Sequence, residues 1–574
     1  MLARNPNHGA CKRRRGMALL VVMVLTMLIA LGAYRYSFTM QSQYRVTRVH
    51  EEQVQAKLAA LSGLELAASL LETSPTQRAN RGGVQSNSPL FQHVPVEASA
   101  NESESTGDTN LWHVSVVSPR NLASDANGGG VDSTAAGAIG GDAANSPLRF
   151  GLENESAKLH LPTLLQWERQ FPGHARATLM RLPGATAELI DAWLRRLGVA
   201  RRDGSATGES RLLDRLENAA PAVDQQASAD ALRFHWLGGD LNQNYRLDPL
   251  ELHWAARMMS EGESAAGSSS LGGGGSTSES QLPLAWQRYL TWHSGQRNES
   301  AAGEPRLYLN EDNLTTLHQR LLQVWPLEWA NYVIAVRQYG LGGSNTQPTG
   351  DSSSDTSEVS GTNWSPDFSL PAKYSLVSVL DLVEARIEVP ATESTTESES
   401  AARDASGKKQ TLPNPFTSDI STSRDYLGRL LNESTVDLAP ILEGRVDVTE
   451  APVEVLAGVP GIDLALAQAI VRQRPTTEGA TVSKASESIA WMLEAGLVDR
   501  SRLKQLEPYL TSRSDVYSLQ AVGYRDAVSP VCRCTAIIDA RQIPAQITNP
   551  QYWHPWDRGF SIETFSLTPV ANPL

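Results

Sequence analysis

The start of this chain constrains it most. Lys12, Arg13, Arg14 and Arg15 form an unbroken basic run, Gly16 follows, and Met17 to Ala33 (MALLVVMVLTMLIALGA) then carries no charged side chain. A helix needs roughly 17–25 apolar residues to cross the hydrocarbon core of a bilayer, so this segment is just long enough. Cations ahead of the span place the N-terminus in the cytoplasm and the bulk of the chain outside. A cleaved secretory signal is the competing reading. Against it, the apolar run is long for such a segment and no small-x-small cleavage site follows. Beyond Ala33 the sequence stays compatible with helix to about Glu72, with no Gly or Pro until Gly63. Val46, Val49, Val54, Leu58, Leu61 and Leu64 recur at helical spacings and predict an apolar stripe. One helix from Met17 to Leu71 would be about 80 Å long.

Composition narrows the rest. A chain of 574 residues suggests a few domains. With 41% hydrophobic residues it is neither collagen-like nor wholly disordered. Fifty basic against 63 acidic residues give a net charge of −13, a poor basis for a protein whose main partner is nucleic acid. Three cysteines cannot make a disulfide scaffold.

The order of basic cluster, glycine, apolar segment and amphipathic extension resembles a type IV prepilin-like leader, as in pilins and type II secretion pseudopilins. The resemblance implies cleavage between Gly16 and Met17 by a prepilin peptidase, and N-methylation of Met17. Loss of residues 1–16 removes Arg4, Lys12, Arg13, Arg14 and Arg15, leaving 45 basic and 63 acidic residues, or −18. Most members of that group have a glutamate five residues into the mature chain, where this sequence has Val21. A carboxylate in hydrocarbon is costly unless paired, and a subunit with no neighbour ahead of it has no partner to offer. Lacking that glutamate is similar to the minor pseudopilins of the general secretion pathway protein K family, thought to cap the filament tip. The implied protein is a non-enzymatic, single-pass inner-membrane subunit with a periplasmic body. Its implied partners are other minor pseudopilins and the secretion machinery. The resemblance covers roughly Arg15–Leu71 and Phe150–Ile547.

The body reads as folded segments separated by low-complexity inserts at 99–146, Glu261–Ser280, Gly340–Gly361 and Ala391–Leu412. The first insert surrounds a strand-like Leu111–Ser118. Pro147–Leu161 (PLRFGLENESAKLHL) alternates like strand, turn and strand. Thr163–Leu197 predicts helix broken at Arg181–Ala185, and Leu282–Tyr339 mostly helix broken at Trp325-Pro326. Gly444–Arg474 predicts two helices around a Pro460-Gly461 turn, with Thr449 as N-cap, Pro452 in the first turn and Gly458 ending the first helix. From Asp515 to Ile547 the period changes to two, which predicts an antiparallel sheet. The fold class is α+β, with a long membrane-spanning helix and a small antiparallel sheet; the resemblance implies that the sheet is of the pilin type and that the rest is a large inserted, mostly helical domain with helix-hairpin-helix units. The expected divisions are 1–16 leader, 17–71 long helix, 72–161 strands with an insert, 162–412 inserted helical region, 413–510 helix-hairpin-helix region, and 511–574 C-terminal strands and tail.

A helix-hairpin-helix can hold a nucleic-acid phosphate on its turn amides. In Val459, Pro460, Gly461, Ile462 and Asp463 there is no cation, and Asp463 would repel a phosphate. Packing is the preferred role, no nucleic acid is expected, and a membrane-anchored DNA-uptake protein is the alternative. Asp240–Glu251 (DLNQNYRLDPLE) has the ligand rhythm of a calcium loop. Asp240, Asn242, Asn244, the Arg246 backbone carbonyl, Asp248 and Glu251 are the candidate ligands. Tyr245 stands where a glycine is usual, and an Asx-turn loop is the competing reading. Cys532 and Cys534 are two residues apart on a predicted strand, which suits burial better than a disulfide. The tryptophans, Trp167, Trp193, Trp236, Trp325 and Trp329 among them, fall on helical patterns and are expected in the core. No phosphate-cradling loop, zinc-protease motif or nucleophile elbow is present in the sequence, so catalysis is not expected.

Overall fold

Once a first helical turn exists, each further residue adds a backbone hydrogen bond, so helix-compatible sequence without an interruption propagates as one rod. The computed structural model describes residues 15–96, 111–119, 148–182, 185–187, 190, 191, 194, 286–341, 364–383, 385–390, 409–417, 420–475, 488–525 and 530–553. Its first element, α1, is a single helix over Arg15–Leu71, 57 residues long. It is long and apolar enough to cross a membrane.

The last turns of α1 lie on an antiparallel sheet of seven strands: β1 (Val94–Val96), β2 (Trp112–Pro119), β3 (Leu148–Phe150), β4 (Glu153–Asn154), β5 (Val516–Tyr524), β6 (Cys532–Asp539) and β7 (Gln546–Trp553). The path is β1-β2-β5-β6-β7, with β3 beside β2 and β4 beside β5. The N-terminal strand β2 thus pairs with β5, far along the chain, with Ser115 opposite Val522. Period two sends Val114 and Val116 of β2, Leu519 and Ala521 of β5, and Cys532, Cys534, Ala536 and Ile538 of β6 into one core beneath α1. Cys532 and Cys534 are buried and neither forms a disulfide, and burial lifts the Cys532 thiol to about 11.

The helix face on the sheet takes only the end of the expected stripe, Leu64 with Leu61 beside it, and is otherwise built of small residues. Ala56, Ala59, Ala60, Leu64 and Ala67 are buried there, whereas Val54 and Leu58 stay 44% and 50% exposed. Small side chains let the two backbones meet. A Cβ at Gly523 would stand 2.1 Å from the Ala56 carbonyl oxygen and 2.6 Å from the Ala60 nitrogen.

A second core gathers apolar side chains from Leu159 through Leu510. Its helices include Leu161–Gln170, His174–Leu179, Leu314–Val324, Leu327–Tyr339, Ile420–Glu433 and Leu464–Gln473. Trp167 and Trp325 are buried in it, and Trp329 stacks at a tilt on Phe416 with centroids 4.9 Å apart.

Several local expectations change. Among the described residues of Leu282–Tyr339, a single 3-10 turn at Trp286–Arg288 comes first, α-helix begins at Leu314, and the break at Trp325-Pro326 is present. Before it, Leu290–Thr291, Gly295–Arg297 and Leu307–Tyr308 are short strands paired with Leu159–His160, Ile441–Glu443 and Ser434–Thr435. Their partners are remote in sequence, so local periodicity does not display them. The helix expected from Thr163 starts at Leu161 and already stops at Gln170, before Pro172-Gly173. Thr449 is not a helix cap. Pro452 holds the N-cap position of Val453–Leu456, and Thr449 instead turns its hydroxyl to Asp447.

Candidate functional site

Two features organise the described residues: the way α1 enters the body, and a polar seam between the sheet and the second core. Where α1 meets the sheet edge, the Glu52 carboxylate accepts from Arg525 at 3.3 Å and Arg48 at 3.4 Å. The Arg525 guanidinium also lies 5.5 Å over the Trp112 ring. Side chains from Leu19 to Tyr44 ahead of this point are exposed. The free stretch before Glu52 is about 55 Å long at 1.5 Å per residue, well beyond a bilayer core of about 30 Å.

The other end of α1 needs partners for its last carbonyls. Arg78, on the helix Pro75–Asn80, supplies them and is itself buried. It donates to the carbonyls of Leu71, Thr73 (3.0 Å) and Ser514 (3.4 Å), and pairs with the Asp515 carboxylate at 2.8 Å. Asp515 also accepts the Arg297 backbone amide at 2.8 Å. One guanidinium therefore ties the end of α1 to β5 and to the second core.

The seam follows from the phrase Gly151–Leu161. Asn154 of β4 donates through one amide nitrogen to Asp447 at 2.7 Å and to Glu450 at 2.8 Å. Arg149 pairs with Glu450 at 3.4 Å, and Gln85 donates to the same carboxylate. Asp447 accepts the Thr449 amide at 2.9 Å and its hydroxyl at 2.6 Å. Burial raises the Asp447 carboxyl. Burial, with the nearby Asp447 charge, raises Glu450 to about 7 despite Arg149. A few residues away, burial alone would raise Glu155, but Lys158 at 2.8 Å holds it below its usual range. Lys158 bridges Glu155 and Glu153 and stays cationic. Beside the seam lies a cavity of about 420 Å³, lined in part by Thr76, Arg78, Gln85, Arg297, Glu450 and Arg513. Single-sequence reading missed these residues. Their one signal is the density of charge in GLENESAK between strand-like flanks.

Around the Pro460-Gly461 turn, Val459 and Ile462 are buried and Gly461 has φ +85, a conformation that favours glycine. Asp463 is the N-cap of Leu464–Gln473 and accepts the Leu466 amide at 2.8 Å. Arg502 donates to the Gly461 carbonyl at 2.7 Å. His174 lies at hydrogen-bond distance from the Gly458 carbonyl, 2.8 Å, which joins this turn to the helix His174–Leu179.

Gly16 and Met17 lie in the first turn of α1, directly after Arg15. Lys12, Arg13 and Arg14 lie outside the described residues, as do all six calcium-ligand candidates, Asp240, Asn242, Asn244, Arg246, Asp248 and Glu251. Trp193 and Trp236 lie outside them too. Among the described residues, no group of three or more His, Cys, Asp or Glu side chains is placed to hold a metal ion. No protein-family model, curated protein or solved structure matches the chain.

Proposed function

We propose that this chain is a structural, membrane-anchored subunit of the pseudopilin kind, akin to the general secretion pathway protein K family, and that it caps a short type II secretion filament. The observation that carries the reading is the unbroken course of α1 from an exposed apolar segment onto an antiparallel sheet. Such a rod supplies location through its lipid-length part and a side face for related helices through the part beyond. Val21, in place of an acidic residue near the start of the mature helix, suits a subunit with nothing ahead of it. The second core, including the hairpin-like helices of 444–474, would stand as a bulky head over the rod and block further addition. Asp463 supports a packing role for that turn, because its carboxylate already occupies the helix N-terminus where a phosphate would bind. In this reading prepilin peptidase cuts after Gly16 on the cytoplasmic side, the body is periplasmic, and calcium bound at 240–251 is structural.

The test is the N-terminal mass of the protein recovered from membranes. The expected species begins at N-methylated Met17. A chain that keeps residues 1–16, or one cut after Ala33, overturns the proposal. Tight, salt-dependent binding of duplex DNA would instead favour the DNA-uptake alternative.

A further inference from the structure

Steps of four and three residues return to one face of a helix, so a run of such steps marks the side that meets another surface along its length. In α1 that spacing runs unbroken through Phe38, Gln41, Arg45, Arg48 and Glu52 to Ala56, Ala59 and Gly63. At 100° per residue they all fall in one stripe about 80° wide. Its upper part is occupied. Ala56 and Ala59 are buried against the sheet, and a Cβ at Gly63 would stand 2.5 Å from the Val114 side chain. Glu52 marks the sheet edge, held by Arg525. Ahead of it the same stripe is bare. Phe38 is 66% exposed, the Arg48 side chain 65%, and Gln41 and Arg45 are exposed too.

The bare part carries charge of one sign. Residues 34–50 include Arg35, Arg45 and Arg48 and no Asp or Glu, in a chain whose acidic residues outnumber its basic ones by 63 to 50. Arg45 makes no ion pair among the described residues, and Arg48 reaches only Glu52, which Arg525 shares. Lipid does not answer this charge. In an upright rod that leaves the hydrocarbon near Ala33, Arg45 and Arg48 stand about 18 and 22 Å further out, past a headgroup layer of about 5–8 Å. Nor does an in-register second copy, which sets arginine against arginine.

We propose that this bare stripe, centred on Arg45 and Arg48, receives an acidic helix of a different chain. The neighbour seats beneath the sheet edge, with carboxylates three or four residues apart facing the two arginines. The inference rests on the reading of α1 as a membrane rod with partner helices, and it names the chemistry of the neighbour. Exposed ion pairs add little affinity. Phe38 and the arginine stems therefore supply the contact, while the two charges select the partner and fix its height along the rod.

The test places the photo-cross-linker p-benzoylphenylalanine at Gln41 of the full chain, in the membranes of the cells that make it, and identifies the cross-linked residue by mass spectrometry. The expected adduct lies on a helix-compatible segment of another chain with at least two Asp or Glu at that spacing. Arg45→Glu with Arg48→Glu is expected to lower its yield about tenfold, and Arg45→Lys with Arg48→Lys to leave it within about twofold. Exchanging the partner's carboxylates for lysine should restore the adduct to the reversed chain. Both arginines are exposed, so the reversed chain should melt with the unmodified one. An adduct on a second copy, on lipid or on a segment without carboxylates overturns the proposal, as does a yield that charge reversal leaves unchanged. If the reversed chain fails to accumulate, the residue that the unmodified chain labels decides by itself. The N-terminal mass of the same sample separates the two readings. A chain that begins at Met17 without an arginine-dependent adduct overturns this inference alone, and one that keeps residues 1–16 overturns the filament reading whatever the adduct.

Discussion

The two halves of α1 carry apolar residues into opposite surroundings. From Leu19 to Leu31 the side chains are large and exposed, while from Ala56 to Leu71 the buried face is built largely of alanine. Apolarity alone does not distinguish them. What does is the closeness of approach: the exposed half meets no protein surface among the described residues, whereas a sheet accepts only a surface that fits it. The Gly523 position, against the Ala56 carbonyl, is where that fit is tightest.

Gly523→Val is therefore the change with the largest expected effect. Its side chain would collide with helix backbone, which cannot rotate away as a side chain can, and the expected loss is about 3 kcal/mol of stability or more. Thermal or denaturant unfolding of the full chain reads it. Met23→Leu in the exposed half, a volume-conserving exchange, is expected to leave the same transition unmoved. Equal effects from the two substitutions would break the comparison.

A smaller effect asks whether the docked half of α1 answers to the sheet alone or to the sheet and second core together. Glu450 sits on the seam, and burial lifts its carboxyl from the ordinary 4.5 to about 7. The folded state thus holds a proton that the unfolded state has released between these values. Its contribution is fully present below about pH 4.5 and is lost as pH rises through 7, an effect of at most about 3 kcal/mol. Glu450→Gln is expected to flatten that slope. Hydrogen exchange at the seam should rise from pH 5 to pH 8 in the unmodified chain, while amides of Ala56–Leu71 keep their protection. A slope that survives Glu450→Gln would assign the pH dependence to another group.

How much of this was legible in the sequence varies with the distance of the partner. The rod was legible because every bond that makes it is local: no Gly or Pro interrupts 34–62, and the apolar run preceding it is unmistakable. Strands β5 and β6 were legible from period two. The alanine face was not, since a search for large apolar residues picks out Val54 and Leu58, which the sheet leaves exposed. Nor were the short strands at Leu290–Thr291 and Gly295–Arg297, whose partners are more than a hundred residues away. The seam was equally hidden. Asp447 and Glu450 read as surface charges until Asn154, nearly three hundred residues earlier, is placed between them.

The smallest expected effect on stability bears most on assembly. At 100° per residue, Val54 and Leu58 project away from the alanine face, and both stay substantially exposed. In a lone subunit they contact little, so Val54→Ser with Leu58→Ser should shift unfolding by less than about 0.5 kcal/mol per site. If that side of α1 receives a neighbouring helix, the same pair should weaken association of the chain with its partner subunits in membranes, read as loss of a cross-link from a cysteine placed at Gln55. The comparison then becomes three-way: one face of the rod for the sheet, one for a partner, and one end for lipid. Unchanged cross-linking would leave Val54 and Leu58 as incidental apolar residues and would confine the function of the rod to anchoring.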